Sequence, residues 1–356
     1  MRIDELKRIA LRRKLDLTLV AGQANIRALT GINCDNAILA CRPPSFVLYT
    51  DFRYIPMVHR VVPKLICRDI KRFGAGTSRP RRIGYESSIS HARFLEWQKK
   101  FPKATFIDIS KDLAAIRAVK TPDEIAALKA AEKLNCEIWE TARGRFRAGM
   151  TELQMARIIR KLMIERGEGE AFETIVCVGK NAAECHHEPD GTVWNGREPV
   201  LVDMGVKLGG FCSDLTRNLV PGLGKTGGLK TKDGRREGRP AKLYRQIYDL
   251  VLKANRAAIA AARPGITGKR LDKVARDVIR KGGFGKCFGH SLGHGVGYEV
   301  HEPPYASQKK GDMILKPGML VTIEPGIYLE DNLGVRIEDL VLITETGCEV
   351  LSECEK

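Results

Sequence analysis

Two aspartates frame one short stretch of the chain, Val200-Leu-Val-Asp-Met-Gly-Val-Lys-Leu-Gly-Gly-Phe-Cys-Ser-Asp214. Val200, Leu201 and Val202 read as a strand running into Asp203, and Gly209-Gly210 supplies the residues a tight hairpin needs. A reversal between Leu208 and Gly209 sets Asp203 directly opposite Asp214. Opposed residues in an antiparallel ladder have Cβ atoms about 4.5–5.5 Å apart, and like charges there repel. Two aspartates that close call for a cation between them.

A second stretch follows the same logic. Met319-Leu-Val-Thr-Ile-Glu-Pro-Gly326 reads as a strand ending at Glu324, and Gly334-Val-Arg-Ile-Glu-Asp-Leu-Val-Leu342 as its partner. A reversal around Asp331-Asn332 opposes Glu324 to Glu338. Val321, Ile323, Val335 and Ile337 flank them, so both carboxylates face a half-buried site, which is costly unless they are paired or coordinated. Five of the seven histidines (His186, His187, His290, His294 and His301) fall in the same part of the chain. Four carboxylates and one imidazole make an oxygen-rich dinuclear set suited to Mn²⁺, Fe²⁺, Co²⁺ or Zn²⁺. Two ions about 3.5–4 Å apart share a bridging water, lower its pKa and yield hydroxide near neutral pH, the means to hydrolyse a carbonyl or phosphoryl bond.

The elements that must hold these groups show a repeat. Thr121-Pro-Asp-Glu124 has the form of a helix start, with Thr as N-cap, Pro first in the helix and Glu three residues on. That helix is expected to run to about residue 146 and to be stopped by Gly149, with Ile125, Leu128, Ala131, Leu134 and Ile138 on one face. A second helix starts at Thr151, where Gln154 completes the capping pattern. Arg147-Ala-Gly-Met-Thr151 aligns with Arg263-Pro-Gly-Ile-Thr267, after another long helix expected at 241–262. Two helix–helix–strand units predict a pseudo-two-fold domain with helices outside and strands within. Before it, Leu17–Val20, Ala37–Ala40 and Phe46–Thr50 read as strands of a small α/β domain. The expected fold class is therefore α+β, with domains at 1–117 and 118–356.

At 356 residues, 43% hydrophobic and 29% charged, the chain is composed like a soluble globular enzyme. A charged amino terminus and the lack of any apolar run near the ~18 residues of a membrane span point to the cytoplasm and to no membrane partner. The net charge of +17 raises the question of nucleic acid. Outside the Gly-rich run Lys225 to Lys242, however, the basic residues are dispersed and lack interleaved aromatics, so none is expected. The ten cysteines are scattered without a C-x-x-C and read as free thiols. His59 and His91 stand alone and read as ordinary surface or packing residues, and His187 reads as a strand-end histidine.

Taken together, Asp203, Phe-Cys-Ser-Asp214-Leu-Thr-Arg, Gly-His294-Gly-Val-Gly, Val-His301-Glu-Pro, Glu324-Pro-Gly and Val-Arg-Ile-Glu338-Asp resemble the M24 metallopeptidases, whose fold is the pita-bread fold. The match is strongest to the aminopeptidase P and prolidase branch. Asn25-Ile-Arg-Ala-Leu-Thr-Gly31 and Thr50-Asp-Phe-Arg-Tyr54 resemble that branch's creatinase-like amino-terminal domain. The resemblance implies two divalent ions, manganese first and cobalt, zinc or iron as alternatives, held by Asp203, Asp214, His294, Glu324 and Glu338. Asp214 and Glu338 would bridge them, Asp203 would hold one, and His294 and Glu324 the other. It further implies Glu324 as general acid/base. His186, His290 and His301 would line the substrate pocket in catalytic and substrate-binding roles, and Arg336 would lie on the substrate side or behind a ligand. The implied reaction is cleavage between an amino-terminal residue and proline in a di- or oligopeptide, by a homodimer. A metal-free creatinase-like hydrolase and a non-catalytic pita-bread module binding nucleic acid or protein are the alternatives, and the complete ligand set argues against both. The chain departs from the family pattern at Glu184-Cys185, at Tyr298 and in the insertion Lys225 to Lys242.

Overall fold

The computed structural model describes residues 2–74, 79–220 and 239–356, and most of the Lys225 to Lys242 insertion lies outside them. The chain divides into two compact units, Met1–Arg117 and Ala118–Lys356. The first is built on a six-stranded sheet in the order Ile66–Asp69, Ser45–Thr50, Ala37–Arg42, Leu17–Val20, Arg82–Tyr85, Thr105–Asp108. Ala37–Arg42 runs antiparallel to both of its neighbours, while the outer pairings are parallel. Leu17–Val20 is buried along its whole length, as a central strand covered on both faces must be.

The second unit begins with the helix Pro122–Arg143. Thr121 Oγ1 accepts from Glu124 N at 3.3 Å and Glu124 Oε2 accepts from Thr121 N at 2.8 Å, so both arms of the capping box are made. The helix ends three residues short of the expected 146. The chain leaves it at Gly144 so that Phe146 can enter the core, and Gly149, at φ +92°, belongs to the next turn. Glu152–Arg166 follows, capped by Thr151 and Gln154, and the later pair is Arg239–Ala261 and Gly268–Lys281, the latter capped by Thr267.

The repeated motif is a repeated structure. Gly149 N donates to Trp194 O at 2.8 Å, and Gly265 N to Leu315 O at 3.0 Å. The return bonds, Trp194 N to Met150 O and Leu315 N to Ile266 O, are both 2.8 Å. Gly265 shares the left-handed backbone of Gly149, at φ +85°.

Each half buries its own core against its own helix pair. In the first, Trp139, Met155, Ile159 and Met163 pack on Val176, Val178, Val200, Val202 and Met204. In the second, Ile247, Val251, Leu271 and Ile279 pack on Val321, Ile323, Val335, Ile337 and Val341. Successive strand residues face opposite sides. The apolar residues that face the helices therefore throw the alternate positions, Asp203, Thr216, Thr322, Arg336 and Glu338, onto the opposite face.

The registers of the two hairpins differ. Val200–Met204 pairs with Leu215–Leu219 so that Asp203 lies opposite Thr216, and Leu208 opposite Phe211. Asp214 is therefore displaced by two residues from the place directly opposite Asp203 that a reversal at Leu208/Gly209 would give. The turn is centred on Gly209-Gly210, at φ +59° and +72°, and that moves the pairing. In the second hairpin Ile323 lies opposite Asp339 and Gly326 opposite Arg336, which brackets Glu324 level with Glu338 as expected. Among the described residues no helix is long and apolar enough to cross a membrane.

Candidate metal centre

Asp203, Asp214, His294, Glu324 and Glu338, with His186, His290, His301 and Arg336, all line one cavity of about 850 Å³. At its floor, donor atoms of Asp214, His294 and Glu338 lie within 4.8 Å of one another. His294 Nε2 is 3.6 Å from Asp214 Oδ2 and 3.3 Å from Glu324 Oε1. Its Nδ1 is 3.2 Å from the carbonyl of Gly295, and although burial opposes the charge, the hydrogen bond from Nε2 to Glu324 and the Glu324 charge raise the ring's pKa. A metal ion would take the place of that Nε2 proton.

Three of the carboxylates are held from behind, and Asp214 is held through its backbone. Asp203 Oδ2 accepts from Arg336 Nη2 at 2.7 Å, and Glu338 Oε2 accepts from Thr216 Oγ1 at 2.8 Å. Thr322 Oγ1 accepts from His294 N and donates to Glu324 Oε1 at 3.2 Å. The backbone of Asp214 donates to Glu132 Oε2, whose other oxygen accepts from Ser352 Oγ at 2.5 Å. Arg217, fully buried, donates to the carbonyls of Thr216 and Glu338 and to Asp339 Oδ1. The two halves also meet directly, where Glu338 N donates to Thr216 O at 3.3 Å.

The electrostatics separate these acids. Burial, reinforced by Glu338, Asp203 and Glu324, pushes the Asp214 carboxyl well above its ordinary range. Burial and the charges of Glu324 and Asp203 do the same to Glu338. Burial raises Asp203 as well, against the pull of Arg336. For Glu324 burial is outweighed by the His294 hydrogen bond and the charges of His294, His290 and Arg336, which bring it down to about 2. Four such groups cannot all ionise in one buried site without added positive charge. Asp203 Oδ1 is buried and, among the described residues, has no hydrogen-bond partner. An oxygen-rich set with one imidazole and an orphaned carboxylate oxygen fits divalent metal ions.

A ring of donors surrounds the carboxylates. His290 Nδ1 is 2.8 Å from the carbonyl of Ser291, so Nε2 accepts from Tyr328 Oη at 2.9 Å, and Tyr328 Oη accepts from Arg336 Nη1 at 2.8 Å. Burial lowers the His290 pKa, against the pull of the Glu324 charge. The His301 ring lies 4.2 Å from that of His294, and burial, then the His294 charge, lowers its pKa. His186 and His301 are exposed to the cavity. Tyr298, at a departure from the family pattern, stacks on Phe211 with ring centroids 4.6 Å apart and donates to Glu124 Oε1.

Several residues here escape a reading of the sequence. Tyr328 stands in the strand Gly326–Leu329, beyond the break at Glu324-Pro325, so no strand period links it to Glu324. Glu132 and Ser352 are far apart in the chain and no local pattern joins them. His187 is not a strand-end histidine. It sits buried in the loop after Gly179–Ala183, with Nε2 2.8 Å from Glu152 Oε2, because a buried carboxylate at a helix start needs a donor.

The family model "Metallopeptidase family M24" matches residues 126–345, and "Creatinase/Prolidase N-terminal domain" matches residues 2–119. The Xaa-Pro dipeptidase of Lactobacillus helveticus is 38% identical over 76% of this chain and 69% of its own length. Among solved structures, a prolidase from Pyrococcus furiosus superposes with a TM-score of 0.88 at 30% identity, covering 98% of this chain and 99% of that one. An X-Pro aminopeptidase from Thermotoga maritima gives 0.81 at 30% identity, with 98% of each chain covered. With the carboxylate-rich site assembled at the junction of its two halves, this chain belongs to metallopeptidase family M24.

Proposed function

We propose that the cavity hydrolyses Xaa-Pro peptide bonds with divalent metal held by Asp203, Asp214, His294, Glu324 and Glu338. The observation that carries this reading is the set of buried, mutually repelling carboxylates with an orphaned Asp203 Oδ1 at its edge. The relatives named above, an Xaa-Pro dipeptidase and a prolidase, support the substrate class. The finer reading is two ions, manganese first, with Asp214 and Glu338 between them.

When bound, such ions supply a nucleophile at neutral pH and polarise the scissile carbonyl. The protein's own groups do the rest. Glu324 is held ionised by its histidines and accepts and returns the proton of the reaction. His186 and His301 open onto the cavity; His301 offers a ring nitrogen to the peptide carbonyl, where charge develops, and His186 positions the bound peptide in ground and transition state alike. His290 has both nitrogens engaged, so its role is to align Tyr328 and, through it, Arg336. Arg336 is fully occupied by Asp203, Thr216 and Tyr328 and acts behind a ligand rather than on substrate.

We extend the reading to a dipeptidase acting as a homodimer in the cytoplasm, a reducing compartment that suits ten free cysteines. The complete carboxylate set gives no support to a metal-free hydrolase or to a binding module. The test strips the protein of metal, restores Mn²⁺, Co²⁺ or Zn²⁺, and follows Xaa-Pro against Xaa-Pro-Yaa. Metal-restored hydrolysis with the dipeptide preferred is expected. No hydrolysis of either peptide with any metal would overturn the reading.

A further inference from the structure

We infer that Glu152 and His187 form a buried positioning pair that holds the His186 loop against the cavity, an inference that rests on the Xaa-Pro reading above. Glu152 opens the helix Glu152–Arg166 and its side chain is fully buried. Its Oε1 accepts from Val178 N at 2.6 Å and from Asn181 Nδ2 at 2.9 Å. Its Oε2 accepts from Asp190 N at 3.1 Å and from His187 Nε2 at 2.8 Å. One carboxylate thereby ties down both ends and the middle of residues 178–190.

The tie reaches the reaction site through backbone. His187 follows His186, whose ring opens onto the cavity, and Cys185, whose carbonyl accepts from Arg336 Nη1 at 3.5 Å. Arg336 in turn holds Asp203. His187 Nδ1 points to Glu184 Oε2 at 3.3 Å, but that carboxylate is 75% exposed and contributes little beside the buried one. Glu152, His187 and Asp190 also lie close enough together to suggest an ion. Four N–H donors already occupy Glu152, so the cluster is a hydrogen-bonded anchor and no second metal site.

His187 lines the cavity wall beside His186, but its ring nitrogens are engaged by Glu152 and Glu184, so the anchor acts by keeping His186 in register for the bound peptide. Loss of that register weakens ground-state and transition-state binding alike, which appears in KM and leaves kcat nearly unchanged. His187→Leu removes the donor to Glu152, whereas His187→Gln keeps a nitrogen able to reach it.

The experiment uses the metal-loaded full chain and reads two things: the kinetics on an Xaa-Pro dipeptide, and amide hydrogen exchange of residues 184–190. The Leu variant is expected to raise KM by about tenfold with kcat within about twofold, and to speed exchange in the loop alone. The Gln variant is expected to return both to within about threefold of the parent. A Leu variant with parental KM and parental exchange would overturn the inference, as would a Gln variant as impaired as the Leu one. Should the Leu variant fail to fold, Glu152→Gln serves in its place. Its amide turns a donor toward Asp190 N and His187, and the same KM rise and loop exchange are expected; parental values for both would overturn the inference. If the parent itself cleaves no Xaa-Pro peptide, the functional reading fails, while the exchange data still decide whether the pair holds the loop.

Discussion

The two halves of the metallopeptidase unit reach the same site by different registers. In the second half Glu324 and Glu338 are level, across a hairpin that reverses at Asp331, φ +54°. In the first half Asp203 and Asp214 are staggered by two residues because the reversal uses both glycines, 209 and 210. A slip of one residue would have turned an aspartate into the helix-facing core, whereas a slip of two keeps it on the same face. Face therefore matters more to the ligand set than exact opposition. The halves also complete each other. Arg336 of the second holds Asp203 of the first, and Thr216 of the first holds Glu338 of the second. Each half further secures a cavity histidine with a buried ion pair, Glu152–His187 before the junction and Lys120–Glu302 after it, the latter at 2.9 Å with both side chains almost fully buried.

This comparison can be broken most severely at the floor. Asp214→Ala removes the group that faces His294 and the Glu338 side, and hydrolysis of Xaa-Pro is expected to fall by at least about 10³-fold, on the order of 4 kcal/mol of transition-state stabilisation. Circular dichroism should show a folded chain, because the substitution also relieves a buried repulsion. Retention of more than a tenth of the activity would remove Asp214 from the ligand set.

Cross-support between the halves is the next target. Arg336→Met leaves Asp203 buried beside no cation in the metal-free chain, and breaking a buried pair on one side costs about 3–5 kcal/mol. The melting temperature of metal-free protein should drop markedly, and metal should recover part of the loss by binding the folded state. Activity is expected to fall about 10–100-fold, the range for loss of a group that orients a ligand. A variant as stable as the parent without metal would mean that Asp203 does not rely on the other half.

The two histidine loops can then be set against each other. Lys120→Met strips Glu302 of its buried ammonium, and thermal unfolding should show a loss near the same 3–5 kcal/mol. His187→Gln should cost much less, since Glu152 keeps three other donors. Equal losses would show that the first half depends on its ion pair as heavily as the second.

The sequence revealed whatever was local or periodic. Thr121 and Thr151 begin helices because a hydroxyl, followed three residues later by Glu or Gln, satisfies donors that every helix start exposes. Strand alternation placed Asp203, Glu324 and Glu338 opposite apolar neighbours, and the cavity gathers all nine residues singled out beforehand. The stagger of the first hairpin was harder to see, since Gly-Gly permits more than one turn and only packing selects among them. Glu132 behind Asp214, Arg217 behind Glu338 and Glu152 behind His187 were hidden for a different reason. Each is a charged residue with no local signature, and its burial comes from partners 35 to 122 positions away.

The smallest expected effect is also the most diagnostic of the difference between the two loops, because only the first anchors its histidine loop with a titratable imidazole. For His187, burial opposes the charge, but the hydrogen bonds it donates to Glu152 and Glu184 and the charges of Glu152 and Asp190 win, and the pKa rises above the ordinary value. A histidine whose folded pKa exceeds its unfolded one adds stability that is fully present below the unfolded value, near 6.5. That stability is lost as pH rises through the folded pKa, where the imidazolium gives up a proton while Nε2–H can still reach Glu152. The parent should therefore be more stable than His187→Gln at pH 6, and the gap should narrow by pH 9. Lys120→Met leaves the His187 imidazole in place and is measured in parallel as the reference for the second loop. Melting curves of the three metal-loaded proteins at pH 6, 7.5 and 9 make the comparison. A parent–Gln gap that widens with pH would mean that His187 is held neutral in the fold, and the contrast between the loops would then have to rest on packing alone.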